Sequence, residues 1–422
     1  MKLSCDIQLP ASKSESNRAL MIAAYGGFAP DFQNLSDSND TFVLDEALKS
    51  MSFQRGLVRG MESAFSTASI IDVADCGTAA RFLTTYMACH EGEWLLTGTE
   101  RMRQRPVKPL VDALLGLNAD IQYVEKQGFM PLLIRGKSLS GGKVGIDMSQ
   151  SSQFVSSLLM AAPMWPQGLE LEVLGNLNSI PYLDMTLHMM RHFSAHVEQT
   201  GNIIKVWPQP YQPAGFTVSA DWSAASYWYE LAALTNECTI KLRSLSLSKG
   251  RQQLQGDSII AEWMKPLGVN TLQESDALVL TRSKSSDGPL SFDCFNNPDL
   301  FPTLAATCSG LQREARFTGI ANLHFKESDR VEAMKTELSK IGVKLLVLSP
   351  NEVLLQPAPE LPFFDSSQPL QFASHNDHRI VMALAPLASK LGSISFDDPE
   401  VVAKSYPDFW GKMGKILPVF GL

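Results

Sequence analysis

The chain has 422 residues, a formal net charge of −8 and 45% hydrophobic residues. At about 150 residues per domain the length predicts two or three domains with a large core, and the composition excludes a disordered chain. The acidic balance and the lack of a long basic stripe argue against a nucleic-acid partner, but not against small anions, which respond to local charge.

In chain order, one unit recurs. A polar cluster opens an apolar, helix-like run, and a strand-like run follows. The first copy is Ser12-Lys13-Ser14-Glu15-Ser16-Asn17-Arg18, leading into Ala19 to Ala24. The second is Asp75-Cys76-Gly77-Thr78-Ala79-Ala80-Arg81, leading into Phe82 to Cys89. The third, Ser149-Gln150-Ser151-Ser152-Gln153, opens Phe154 to Ala162 and is followed by a strand over Leu169 to Leu174. The fourth is Asp221-Trp222-Ser223, then Ala224 to Leu234. The fifth is Asn296-Asn297-Pro298-Asp299, then Leu300 to Cys308, with a strand over Ala315 to Ile320. The sixth is His375-Asn376-Asp377-His378-Arg379, then Ile380 to Leu387. The period is roughly 65 to 80 residues, enough for a small α/β module, so the fold class is α/β. Ser, Thr, Asp and Asn ahead of each run are helix N-cap signals. Convergence of such helix starts would create an anion site without a basic protein.

Four groups could carry chemistry. Lys13, Ser14 and Arg18 place two cations at a helix start, where cations are disfavoured unless something anionic sits there. Arg101, Arg103 and Arg105 share one face if the run is extended. Lys326-Glu327-Ser328-Asp329-Arg330 sets carboxylates among cations, which tunes acid–base groups. Ser328 or Asp329 can equally cap the helix from Val331 to Ile341. Asp299 is a lone carboxylate at a helix start and an N-cap candidate. His188, His192 and His196 are spaced to share a helix face, but no Glu or Cys ligand accompanies them, so no metal site is assigned. P-loop and dinucleotide fingerprints are missing.

No stretch reaches the ~18 apolar residues of a membrane span. Residues 1–10 hold one Lys and no apolar signal core. Six cysteines, at 5, 76, 89, 238, 294 and 308, form no C-x-x-C pair. Reduced thiols in a cytoplasmic protein are expected, and Cys76 is expected to be a small turn residue rather than a nucleophile.

Together the motifs resemble the EPSP synthase (3-phosphoshikimate 1-carboxyvinyltransferase) family over nearly the whole chain. The resemblance rests on Pro10-Ala11-Ser12-Lys13-Ser14, Asn17-Arg18, Gly77-Thr78-Ala79-Ala80-Arg81, Arg101 to Pro106 and Ser151-Ser152-Gln153-Phe154. It continues through Pro181-Tyr182, Pro298-Asp299, Lys326 to Arg330, Asn376 to Arg379 and Ala403-Lys404-Ser405-Tyr406-Pro407. It implies two domains, 12–219 and 1–11 with 220–422, each of three βαβαββ units, around an interdomain cleft. The implied reaction moves the enolpyruvyl group of phosphoenolpyruvate to the 5-hydroxyl of shikimate 3-phosphate, with no metal or organic cofactor. A monomer is implied. Lys13, Gly77, Arg105, Gln153, Arg330, Arg379 and Lys404 resemble phosphoenolpyruvate contacts. Ser14, Arg18, Ser151, Ser152, Gln153, Ser179, Tyr182, Asp299, Asn322 and Lys326 resemble shikimate 3-phosphate contacts. Asp299 resembles the base on the hydroxyl and Glu327 its acid–base partner, with Lys13 as a third catalytic group.

The sequence departs from the commonest family pattern at Asp75-Cys76, Phe82 and Ile180, and in the fourth unit an Ala stands where Ser is usual. The related UDP-N-acetylglucosamine enolpyruvyl transferases usually carry Lys-Asn where Lys13-Ser14 stands, and a reactive loop cysteine. A catalytically inactive binding relative would be expected to lose Lys13, Asp299 or Glu327, and all three are present.

Overall fold

A computed structural model describes residues 2–58, 68–247, 254–417 and 419–420. The chain divides into two compact units, one of Met1–Ser12 with Ser219–Leu422 and one of Lys13–Val218.

Each polar cluster opens a helix. These are α1 (Lys13–Gly26), α2 (Gly77–Ala88), α3 (Ser152–Ala161), α4 (Trp222–Leu234), α5 (Phe301–Gly310) and α6 (His378–Leu384). Local chemistry fixes several starts. Ser151 Oγ accepts from Gln153 N at 3.2 Å, Asp221 Oδ1 from Ala224 N at 2.8 Å, and Asp377 Oδ1 from Arg379 N at 3.0 Å. Such caps pair amides that otherwise lack partners. Cys76 Sγ caps α2 by accepting from Ala79 N at 3.3 Å, which gives this buried thiol its structural role.

Four sheets show the complete unit. Ser69–Asp72, Gly92–Thr97, Leu132–Gly136 and Asp120–Tyr123 lie in that spatial order, the first pair parallel and the rest antiparallel. Gly142–Asp147, Leu169–Leu174, Ile203–Val206 and Val197–Thr200 repeat it, as do Leu290–Asp293, Ala315–Thr318, Glu352–Gln356 and Lys344–Ser349. In the fourth, the amino-terminal strand Lys2–Gln8 lies parallel to Glu237–Arg243, the strand that follows α4. The other unit shows the reciprocal arrangement. Phe216–Thr217, just before α4 in sequence, pairs in parallel with Phe32–Gln33, which follows α1. The first strand of each series is thus supplied from a distant part of the chain.

Two of the six expected units are therefore shortened. Among the described residues the first shows only that two-residue pair, and the sixth has three short parallel strands, Leu370–Phe372, Ile394–Phe396 and Val419–Phe420. Two-residue pairing leaves little ladder to stabilise, so packing of the helices must hold the first unit.

In each unit the three recurring helices pack on one another in the interior. Every residue of α2, α5 and α6 is buried. A helix buried on all sides must be apolar or pair its polar groups internally. Thr85 and Ser157 hydroxyls meet at 2.6 Å between α2 and α3, and Ser226 and Thr303 at 3.2 Å between α4 and α5. Small residues such as Ala224, Ala225, Ala305 and Ala306 permit the close approach.

Two sequence expectations are corrected. The arginine run is not extended. Thr99 Oγ1 caps Met102 N at 3.3 Å and Glu100–Arg103 is helical, so Arg101, Arg103 and Arg105 do not share a face. Arg103 turns to Glu125 at 3.2 Å, while Arg105 is buried. The histidine row is also broken. The helix Ile180–His192 ends, Ser194 takes a φ of 69°, and His196 stacks on Trp207 with ring centroids 4.0 Å apart.

Candidate active site

In the unit of Lys13–Val218, the starts of α1, α2 and α3 come together. Lys13 Nζ is 2.8 Å from Asp40 Oδ2, and the Cys76 thiol donates to Asp40 O at 3.5 Å. Gln153 Nε2, in the first turn of α3, donates to Thr78 Oγ1 of α2 at 3.1 Å. Asp40 is buried and its partnership with Lys13 spans 27 residues, so no local pattern signals it.

Gly77 is surrounded by cations. A Cβ added there would lie 2.3 Å from Arg81 Nη1 and 2.6 Å from Arg105 Nη1. Arg81 Nη1 also donates to Gly77 O at 2.8 Å. The glycine thus lets two guanidinium groups close on the first turn of α2, at the positive end of its dipole.

Arg18 is buried. Its Nε donates to Thr186 Oγ1 at 2.7 Å, Nη1 to Ser14 O at 2.9 Å, and Nη2 to Ser156 Oγ at 3.4 Å and Tyr182 O at 3.3 Å. Burial draws its pKa down to about 10, against the pull of Tyr182 and Glu15. These bonds tie Ser14, Arg18 and Tyr182 into one group. Ser179 precedes the helix Ile180–His192 at a φ of 57°, and Tyr182 N donates to its carbonyl at 3.0 Å. Ser151 and Ser152 stand at the start of α3.

The other unit gathers Asp299, Lys326, Glu327, Arg330 and Arg379 around the starts of α4, α5 and α6. Asp299 Oδ2 lies 2.7 Å from Arg379 Nη2. Its Oδ1 lies 2.8 Å from Arg330 Nη1 and 3.4 Å from Lys326 Nζ. Asp299 is not the N-cap residue of α5, which is Leu300; it sits in the turn Pro298–Leu300 ahead of that helix. Burial alone would raise its pKa, but Arg379, Lys326 and Arg330 together hold it well below the ordinary carboxylate range.

Arg330 is the hub. Its Nη2 reaches Glu327 Oε2 at 2.8 Å and its Nε reaches Asp377 Oδ2 at 2.8 Å. Burial opposes its charge, yet Asp377, Glu327 and Asp299 outweigh that and raise its pKa. Asp377 is wholly buried, accepts also from Ser328 Oγ at 3.0 Å, and caps α6. It belongs to a motif the sequence singled out, but its link to Arg330 spans 47 residues. Asp329 supplies the cap of the helix Arg330–Ser339, accepting from Glu332 N at 3.1 Å. Arg379 donates further to Ser223 Oγ at 3.4 Å and Tyr227 Oη at 3.5 Å. Asn322 is buried with Oδ1 lacking a hydrogen-bond partner among the described residues, and Lys404, also buried, ends the turn Pro399–Lys404.

Three helix starts thus converge in each unit, and each group carries lysine and arginine side chains. Paired carboxylates among cations add the means to move a proton. These features define an α/β protein built to hold small anions and to do acid–base chemistry on them. The sequence model of EPSP synthase (3-phosphoshikimate 1-carboxyvinyltransferase) matches residues 1–413. The 3-phosphoshikimate 1-carboxyvinyltransferase of Bacteroides fragilis strain YCH46 is 40% identical over 420 residues, covering 98% of this chain and 95% of that protein. That of Mannheimia succiniciproducens is 35% identical over 431 residues, with 98% and 96% covered. A solved EPSP synthase from Acinetobacter baumannii shares the fold, with a TM-score of 0.69 at 21% identity over 99% of this chain and 96% of that one. The chain belongs to the EPSP synthase family.

Proposed function

We propose that the enzyme transfers the enolpyruvyl group of phosphoenolpyruvate to the 5-hydroxyl of shikimate 3-phosphate, releasing phosphate. Relatives of this chain bear the name of that activity, 3-phosphoshikimate 1-carboxyvinyltransferase. The observation that carries the reading is the setting of Asp299 and Glu327 among Lys326, Arg330 and Arg379.

The addition step needs two proton transfers and the elimination step a third. As the 5-hydroxyl oxygen bonds to C2 of phosphoenolpyruvate, its proton leaves to a base, and C3 receives a proton. Loss of phosphate and of one C3 proton then restores the double bond. Asp299 is assigned as the base and Glu327 as its acid–base partner, with Lys13 the third catalytic group. Groups of this kind are typically worth ~10²–10⁴-fold each. The anions need cations. Lys13, Arg105, Arg330, Arg379 and Lys404, with the Gly77 backbone and Gln153, are assigned to phosphoenolpyruvate. Ser14, Arg18, Ser151, Ser152, Gln153, Ser179, Tyr182, Asn322 and Lys326, along with Asp299, are assigned to shikimate 3-phosphate. Holding both substrates together contributes further.

The reading has a monomer working in the cytoplasm without metal or organic cofactor. Six cysteines scattered along 422 residues with no C-x-x-C pair support a reducing compartment. No helix among the described residues is long and apolar enough to cross a membrane. Phosphorus NMR of the purified protein tests the activity. Inorganic phosphate should grow only when both substrates are present, and a flat phosphate signal with both would contradict the proposal.

A further inference from the structure

Behind the Asp299–Arg379 pair lies a second carboxylate to which no role has been given. Asp257 is only 3% exposed and stands in the turn Gly256–Ile259. The preceding Gln255 fixes that turn. Its Oε1 accepts from Trp222 N at 2.8 Å, and its Nε2 donates to Ala220 O at 2.9 Å. The start of α4 and the turn therefore form one rigid piece.

Asp257 has two partners, one on each side of the pair. Its Oδ2 accepts a short hydrogen bond from Ser223 Oγ, and Ser223 Oγ in turn accepts from Arg379 Nη2 at 3.4 Å. Its Oδ1 accepts from Asn297 Nδ2 at 3.2 Å. Asn297 O accepts from Leu300 N at 3.1 Å, closing the turn that carries Asp299. One buried carboxylate thus holds the support of the cation and the support of the proposed base.

We infer that Asp257 is a positioning residue for the proposed transfer: acting through Ser223 and Asn297, it fixes how Arg379 and Asp299 face each other. The inference rests on the functional reading above. Geometry explains why a carboxylate is needed. Two donors approach from different elements, and a carboxylate accepts from both. An asparagine keeps both contacts only by donating to Ser223 Oγ, which reverses that bond, takes away the acceptor of the Ser223 hydroxyl proton and disturbs the line to Arg379. Burial, and then the charge of Asp299, push the Asp257 carboxyl above its ordinary range, with Arg379 pulling the other way. The residue is therefore retained at an electrostatic cost, as expected of a positioning group rather than a simple stabiliser.

The test uses the full chain and four variants, Asp257→Asn, Ser223→Ala, Ser223→Thr and the double Asp257→Asn/Ser223→Ala. Turnover constants are measured with phosphoenolpyruvate and shikimate 3-phosphate, alongside thermal melting. Misplacing reacting groups by about an ångström costs on the order of 10²-fold. Asp257→Asn is expected to lower kcat about 10- to 100-fold and to raise KM for phosphoenolpyruvate about fivefold or more. KM for shikimate 3-phosphate, to which Asp299 is also assigned, should rise clearly less than KM for phosphoenolpyruvate. The double variant should be no more than about twofold worse than Asp257→Asn alone, because the two residues act in one line. If Asp257→Asn does not fold, Ser223→Ala leaves the carboxylate in place and should show the same split, with Ser223→Thr restoring activity.

A folded Asp257→Asn variant with kcat and both KM values near wild type would overturn the inference. Equal rises in both KM values would do so too, as would losses that multiply in the double variant or an unaffected Ser223→Ala. Absence of wild-type turnover would instead overturn the functional reading itself.

Discussion

Asp299 and Arg379 face each other at 2.7 Å, and the same carboxylate is shared with Arg330 at 2.8 Å. As placed, the proposed base is paired with two of the cations assigned to phosphoenolpyruvate. A carboxylate so neutralised is a poor base, since its pKa is held well below the ordinary range.

The first prediction concerns release of this base. Under the proposed assignment the carboxylate of phosphoenolpyruvate would compete with Asp299 for Arg330 and Arg379, so binding should raise the Asp299 titration midpoint. Carbon-13 NMR of labelled aspartate side chains, assigned with Asp299→Asn, measures it. The midpoint should move upward when phosphoenolpyruvate alone is added. A downward shift in the bound state would contradict the account.

The same pairing predicts a pH dependence of stability. The folded pKa of Asp299 lies below its unfolded value of about 3.9, so its contribution is present above that pH and is lost as pH falls through the folded value. Asp299→Asn leaves buried cations short of a partner and should cost roughly 3 kcal/mol at pH 7. In denaturant unfolding the gap from wild type should persist from pH 7 to 5 and close below about pH 4. The variant should also lose about 10²–10⁴-fold in kcat.

Glu230 provides the opposite case. It lies fully buried on α4, and neither carboxyl oxygen has a hydrogen-bond partner among the described residues. Burial pushes its pKa well above the ordinary value. The folded state keeps the proton that the unfolded chain loses above about pH 4.3, so this group lowers stability as pH rises from there toward the folded pKa. Glu230→Gln should therefore gain stability relative to wild type between pH 4 and pH 7, by about 1.4 kcal/mol for each pKa unit of the shift covered. Guanidinium unfolding at the two pH values reads this directly.

Gly77→Ala should act mainly on phosphoenolpyruvate. The new methyl group would displace the guanidinium ends of Arg81 and Arg105. KM for phosphoenolpyruvate should rise about tenfold or more, with KM for shikimate 3-phosphate little changed. Steady-state kinetics with each substrate varied in turn checks this.

Much of this architecture was legible because it is written locally. The clusters at Ser151, Asp221 and Asp377 signal helix starts, since an N-cap needs only its own next few residues. The strand Leu169–Leu174 follows from its alternation of apolar and acidic residues. What escaped depends on distant partners. Asp40 meets Lys13 across 27 residues, and Asp257 meets Ser223 across 34. Neither has a local sequence signal beyond being an acidic residue near a turn or helix start. The arginine run was misread because a single cap at Thr99 outweighed its alternation. The make-up of the first unit was hidden because its parallel partner strand, Phe216–Thr217, lies far along the chain, while Lys2–Gln8 pairs with Glu237–Arg243.

The central claim is the identity of the acceptor. A coupled phosphate-release assay, with phosphoenolpyruvate and either shikimate 3-phosphate or UDP-N-acetylglucosamine, tests it most directly. The account predicts turnover with shikimate 3-phosphate and none with the nucleotide sugar. Turnover with UDP-N-acetylglucosamine and none with shikimate 3-phosphate would contradict it.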